Sequence, residues 1–533
     1  MMVKESVARS SQRVEMRPWI GIFFSLLIPL FVHGLFAAPH LSSAYVSMDA
    51  QVTYLPLAER FLQDPGSLFQ DEVSLHVAPG SYIYMALLGA DVERIKWVNF
   101  GLSLLVLGLL YDAATRLAGR MGGAAAAWLY ATSPLLVGAA IAPLAEAPFL
   151  FWVSVWLWAA SRLHTQPRLF WPVLAGGAAL GIATLTRGLY YYWIFVAVVV
   201  CAVWGWRGRA EQRPVARRLM IMHLIAAVLV GGYVLRNKVE FGVPVIATGS
   251  GAALYFGSNP TLSGYEPPYY DLLHEHWIIL DGHEHLSLEG DRRLAKVAFM
   301  MLRDMPLEQL LGMYVQKLGA VLFSSKAVLD DAYFNDRSAR ILLLVLAFYA
   351  LWFGRRSILI WMLAGILLYQ AAIHTVVMYN DRYSNGGLGT PLTLLAAIGV
   401  GLLWGQSRRW MHLAWAAGII LLGVGMGIYH QRHTGPLMPD LSKGFSTEMA
   451  KADVSQIEFA GFDAHPFLSA VSLPTGRATI AWRIEPYAPM GGVPVVRLDY
   501  RELDPGCKAV QINFHGADGR VTTKKLRIKG MAR

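Results

Sequence analysis

WIGIFFSLLIPLFVHGLFAA, residues 19–38, carries one ionisable side chain, His33. A helix of that length rises about 30 Å, the thickness of a bilayer's hydrocarbon core, and this one is apolar all round rather than on one face. It is long for a cleavable signal and similar runs follow it, so it reads as a retained membrane span. The rest of the chain agrees. Of 533 residues, 55% are hydrophobic and only 15% charged, and the mean hydropathy is +0.42. That balance excludes an ordinary soluble enzyme and predicts an all-α polytopic membrane protein.

The formal charge of +10 would suit a nucleic-acid binder, but the placement of the basic residues excludes one. They gather between apolar runs: Lys4, Arg9, Arg13 and Arg17; Arg116 and Arg120; Arg162 and Arg168; Arg207 to Arg218; Arg355 and Arg356; Arg408 and Arg409. With each group on the cytoplasmic side, the N-terminus lies inside. About eleven spans result, near 18–38, 95–115, 121–141, 143–162, 169–186, 189–206, 219–236, 339–354, 357–378, 387–405 and 410–428. Residues 1–429 form the membrane domain, with outer loops 39–94 and 237–338. Counting Leu307–Val328 as a twelfth span would put Arg355 and Arg356 outside, so it reads as a helix at the outer interface.

After Tyr429 the character changes. Prolines punctuate the tail, and ATIAWRI, VVRLDY, AVQINFHG and TTKKLRI alternate as strands, so residues 430–533 read as an extracytoplasmic β-rich domain. Cys201 and Cys507 fall in different parts of the chain and imply no disulfide framework. No phosphate-binding loop, dinucleotide fingerprint or paired CxxC is present.

SMDAQVTYLPLAERF, residues 47–61, places Asp49 just beyond the first span. On the same outer side Arg187 sits in a tight hairpin, and Arg236 and Arg382 mark span ends, where basic residues are normally sparse. A guanidinium fork suits phosphate, including that of a lipid headgroup. Glu146 opens the fourth span, where the helix macrodipole favours a carboxylate and where a second acid could equally face Asp49. Two acids and several cations beside a membrane suit group transfer, one carboxylate serving as base to an acceptor hydroxyl and the cations steadying a departing phosphate. In HEHWIILDGHEHL, the pairs His274/His276 and His283/His285 would each project to one face of an extended strand, a pattern that admits a divalent metal but matches no established site. No other cofactor is implied.

RNKVEFGVPVIATGSGAALYFGSNPTLSGY, residues 236–265, resembles a segment of the bacterial GT-C glycosyltransferases related to protein O-mannosyltransferases and lipid A aminoarabinose transferases. Arg236, Asn237, Phe241, Gly242, Gly257, Asn259 and Pro260 carry the likeness. DRYSNGGLGTPL resembles the family's later Arg-Tyr motif through Arg382, Tyr383 and Pro391. SPLLVGAAIAPLAEAPFLFW, LTRGLYYYW and the first outer loop supply Glu146, Arg187, Asp49 and Tyr54 at matching places.

The resemblance implies the GT-C fold and an inverting transfer of a single sugar from a polyprenyl-phosphate donor to a lipid, glycan or protein acceptor in the cell envelope. The implied location is a bacterial inner membrane, among its lipids. Asp49 would be the general base, Arg187, Arg236 and Arg382 the donor-phosphate groups, joined by His76 when protonated, and Tyr54, Asn237, Asn259 and Tyr383 substrate contacts. Three departures stand out: Ala50 replaces a usual Glu; HVAPGSYIY offers His76 and Pro79 where a Lys-Pro-Pro-like segment is usual; and flexible Ser384-Asn385-Gly386-Gly387 replaces a proline. A transporter or flippase of an anionic lipid would use the same arginines without chemistry, but transporters place their ionisable sites near the midplane and often carry repeats. A non-catalytic subunit with a binding tail is the third alternative.

Overall fold

The computed structural model describes residues 21–44, 46–47, 49–259, 264, 279–323, 333–406, 409–434 and five strands between 454 and 527. The chain divides into two units: one contains residues 1–266, 276–326 and 330–429, and the other is chiefly His430–Arg533.

The first unit is helical. Helix α1 (Phe23–Ser42) leads through a π-helical turn, Ala50–Tyr54, into α2 (Leu55–Gln63). Then come α3 (Pro65–Gln70), α4 (Pro79–Leu87), α5 (Val92–Ala131), α6 (Pro134–Ala139), α7 (Glu146–Thr165), α8 (Trp171–Thr186), α9 (Tyr191–Arg207), α10 (Arg213–Phe241) and α11 (Ser250–Ser258). Helices α12 (Leu288–Asp304), α13 (Leu307–Phe323), α14 (Tyr333–Gly354), α15 (Ile358–Val376), α16 (Asp381–Trp404) and α17 (Arg409–Thr434) complete it.

Among the described residues six helices are long and apolar enough to cross a membrane: Phe23–Ser42, Val92–Ala131, Gly188–Arg207, Arg213–Phe241, Ile358–Val376 and Gly386–Trp404. The first has only 17% of its apolar window buried in protein and the last 83%, so α16 is central and α1 peripheral. The core packs around α16 with Phe149, Trp156, Tyr190 and Leu395. Trp156 and Tyr190 meet edge to face at 5.5 Å, a favourable arrangement for two buried rings.

One expected span takes another form. Instead of a continuous helix over 121–141, α5 is a 40-residue element kinked at Ala118 and Gly119 that ends at Ala131. Gly119 has φ +75°, a conformation open to glycine and costly to residues with a Cβ. Pro134 then restarts the chain as the short α6, because proline lacks the N–H needed to continue a helix and biases Ser133 to extended backbone (ψ 109°). Leu307–Phe323 exposes Leu307, Leu311 and Val315 at helical spacing, one apolar stripe along α13.

In the second unit β1 (Val454–Ala460), β2 (Ser469–Leu473), β3 (Arg477–Trp482), β4 (Ala509–Gly516) and β5 (Val521–Arg527) form an antiparallel sheet in the order β2-β3-β1-β4-β5. Ile457 of β1 pairs with Trp482 on one side and Phe514 on the other. The expected strand VVRLDY lies outside the described residues.

Candidate active site

Four helix termini bring the ionisable residues together. Asp49 immediately precedes the π-turn, Glu146 opens α7, Arg187 follows α8, and Arg382 stands in the first turn of α16. The Asn380 side chain accepts the Arg382 N–H at 2.7 Å and so fixes where α16 begins. From there Arg382 Nη2 donates to Asp49 Oδ2 at 2.7 Å, across 333 residues of sequence. Its Nε lies 3.2 Å from Glu146 Oε1, and Arg187 Nη1 lies 3.0 Å from the same oxygen.

The two acids differ in access. Glu146 is 2% exposed and Asp49 48% exposed. Glu146 holds two guanidinium groups from inside, while Asp49 meets one of them from the solvent side. Tyr383 lies against both arginines, with guanidinium carbons 4.8 Å (Arg382) and 5.3 Å (Arg187) from its ring centre, at cation–π distance. Burial opposes the charge on Arg382, but Glu146, Tyr383 and Asp49 outweigh it and hold the guanidinium well above its ordinary range. Tyr54 is within electrostatic reach of all four ionic groups, and burial, with Glu146 beside it, pushes its phenol up to about 12, so it keeps its proton at neutral pH.

The Arg187 hairpin is anchored to α16. Tyr190 donates its hydroxyl to the Gly387 carbonyl at 2.8 Å and stacks on Phe149. A Cβ on Gly386 would lie 2.9 Å from Arg187 Nη1. The expectation of a flexible Ser384–Gly387 stretch is therefore corrected: these residues form part of α16, and glycine there lets Arg187 approach the helix.

Other expected site residues lie elsewhere. Arg236 is caged by Phe69 and Phe241 at 5.3 and 4.9 Å and donates to Asn237 Oδ1 at 2.8 Å. Asn237, fully buried, donates to the Val245 carbonyl and ties down the turn after α10. Asn259 is nearly buried, and its carbonyl accepts the Gly264 N–H. Burial pushes the His76 imidazole below its ordinary value, and its charged neighbours are Glu284, Glu72, His285 and Asp71 rather than the arginines. His283 and His285 stand in a turn before α12, not in the expected strand, while His274 and His276 lie outside the described residues. Among the described residues no group of three or more His, Cys, Asp or Glu side chains comes together to hold a metal.

Two groups escaped the sequence reading. Asp291 accepts the Gly251 N–H at 2.6 Å, capping α11, and burial pushes its carboxyl up against that stabilisation. Lys317 is fully buried and bonds three carbonyls. Its position in the middle of the apolar run LEQLLGMYVQKLGAVLF was the available signal, since an ammonium there must find buried acceptors.

The fold is thus a helical, membrane-type bundle with an acid–arginine cluster where several helix ends converge. Residues 81–232 match the family described as dolichyl-phosphate-mannose-protein mannosyltransferase, a segment that includes Glu146 and Arg187. The match bears out, for this segment, the resemblance to lipid-phosphate-sugar glycosyltransferases. Among solved structures, the oligosaccharyltransferase of Archaeoglobus fulgidus tethered with an acceptor peptide is similar at 13% identity over 76% of this chain and 54% of its own, with a TM-score of 0.45. The same archaeal enzyme with an inhibitory peptide and dolichol-phosphate gives 12% identity, 75% and 55% coverage, and 0.42. ArnT from Cupriavidus metallidurans bound to undecaprenyl phosphate gives 15%, 86%, 97% and 0.32. The chain thus spans about half the length of the archaeal chains it matches. None of the curated proteins compared matches it.

Proposed function

We propose that the protein is an integral-membrane glycosyltransferase that moves a single sugar from a polyprenyl-phosphate donor to an acceptor hydroxyl on the extracytoplasmic face, with inversion. The observation that carries this reading is one guanidinium, Arg382, shared between a half-exposed carboxylate, Asp49, and a buried one, Glu146, with Arg187 on the far side of Glu146.

The donor phosphate binds the outward edges of Arg382 and Arg187, which Glu146 holds in place. Asp49 takes the acceptor proton as the acceptor oxygen attacks the anomeric carbon from the face opposite the phosphate. The carbon–phosphate-oxygen bond breaks, its electron pair leaves with the polyprenyl phosphate, and the arginines stabilise that charge. Glu146 acts through the arginines, as a positioning residue. The Tyr54 hydroxyl and the Tyr383 ring line the same cluster and contact the bound donor. Arg236, His76, Asn237 and Asn259 shape the outer loops beside it, and no step needs a metal. The chain crosses the bacterial inner membrane about eleven times with its N-terminus inside, and the β-rich domain, 430–533, is extracytoplasmic.

The test offers purified protein in nanodiscs a panel of polyprenyl-phosphate sugars with crude envelope acceptors and measures release of free polyprenyl phosphate. Release that collapses in Asp49→Asn while donor binding persists supports the reading. Lipid binding without release from any donor, indifferent to Asp49, would replace it with a lipid transporter.

A further inference from the structure

Lys317 gathers carbonyls from two helix ends. Its Nζ donates to Gly257 O in the last turn of α11 at 2.7 Å, and to Val377 O and Val376 O at the end of α15 at 3.1 and 3.2 Å. Such carbonyls have no partner within their own helix and carry the negative end of its dipole, so one ammonium with three N–H bonds satisfies all three.

The chain leaving Val377 runs directly to the site. Met378 N–H donates to Ala253 O at 2.8 Å, Tyr379 N–H donates to Gly264 O at 2.9 Å, and Asn380 caps the turn that presents Arg382. Contacts therefore pass without a break from Lys317 to the residue that bears the guanidinium.

We propose that Lys317 is a positioning residue for Arg382: its ammonium pins the end of α15 onto α11 and so aims the guanidinium at the donor phosphate. The inference deepens the proposed function and rests on Arg382 holding that phosphate. A neutral amine has two N–H bonds and one lone pair, so it can serve two of the three carbonyls and must turn its lone pair towards the third. Burial pushes Lys317 down to about 7, which places loss of the staple near neutrality. The charged or titratable groups around it are His374 from α15, Tyr314 on its own helix, and Arg340 of α14, whose Nη1 donates to Val321 O; on α16 Arg382 is engaged with the acids.

The sign of the pH effect separates positioning from bulk stability. An unfolded lysine keeps its proton to about 10.4, so between the two values the unfolded chain binds more protons than the folded one. Global stability then rises with pH over the window in which the staple is lost.

The experiment measures hydrogen exchange over residues 376–383 in full-length protein in nanodiscs, corrected for intrinsic rates, at about pH 6 and about pH 8.5. Polyprenyl phosphate binding is measured in parallel. We expect the wild type to lose about tenfold protection in that segment at the higher pH, Lys317→Met to be low at both, and Lys317→Arg, permanently charged, to be high at both. Binding should weaken in the same order. Equal protection in all three proteins, or pH-independent protection in the wild type, would overturn the inference. If Lys317→Met does not fold, the wild-type titration and the Lys317→Arg comparison carry the test. Protection that shifts as expected while lipid binding stays constant supports the staple and removes Arg382 from the donor site. Binding that shifts while protection stays constant overturns the staple.

Discussion

Helix α7 carries an ionic cluster at each end, and the two are built differently. At its C-terminal end Asp112 Oδ2 accepts from Arg116 Nε at 2.8 Å and from Trp158 Nε1 at 2.7 Å, with Arg162 Nη2 at 3.6 Å. Arg162 is stacked on Trp158 and Trp171, 4.5 and 5.5 Å from their rings. One carboxylate oxygen there collects several donors, and the guanidinium face is covered by indole. At the N-terminal end two carboxylates divide two arginines, and the outer acid is half exposed. The first arrangement, held by indole and carboxylate together, serves as an anchor. The second can exchange partners with an incoming anion at its exposed edge.

The largest break in that comparison is Asp49→Asn. It should cut polyprenyl phosphate release by about 10²–10⁴, the range for a general base, while thermal unfolding stays near wild type. Next is Glu146→Gln, which leaves two largely buried guanidinium edges without their charge partner. Removing one member of a buried pair costs about 3–5 kcal/mol, which should appear as a lowered Tm together with weakened donor binding.

Gly386→Ala sharpens the distinction. Alanine is the better helix former by about 1 kcal/mol, which offsets part of the cost of shifting Arg187 against Glu146, so stability should fall less than in Glu146→Gln. The new methyl displaces Arg187, and donor affinity, read by lipid titration, should fall about tenfold. Asp112→Asn should have the smallest effect. Its pairs are partly exposed, so unfolding should shift by about 1 kcal/mol, with release of polyprenyl phosphate unchanged.

The members of the N-terminal cluster were legible because basic residues are sparse at the expected outer span ends, which singled out Arg187 and Arg382 and drew attention to the acids Asp49 and Glu146 near them. Their partnership was not, since the closest ion pair joins residues 333 apart and no local pattern encodes it. Arg236 met the same criterion and went elsewhere, because Phe69 and Phe241 cover its face. Sequence composition at Gly386 and Gly387 suggests freedom, whereas in a helix packed on Arg187 and Gln370 it reflects lack of space. The break in the third expected span turns on a single proline within an apolar run, and hydropathy averages across it. Lys317 stayed hidden because its partners are backbone carbonyls, which every sequence has.

The long separation between Asp49 and Arg382 also sets a timetable for biosynthesis. At about 5–20 residues per second, the ribosome adds the intervening chain in roughly 20 s to a minute. Through most of that interval Glu146 and Arg187, both within the segment matched to the mannosyltransferase family, can pair with each other alone. Arg382 arrives with α16, the most deeply buried of the candidate spans, so the same insertion event that fills the centre of the bundle also supplies the last cation. A nascent chain stalled before that helix would hold a neutralised half-cluster, inert towards lipid phosphates until the bundle closes.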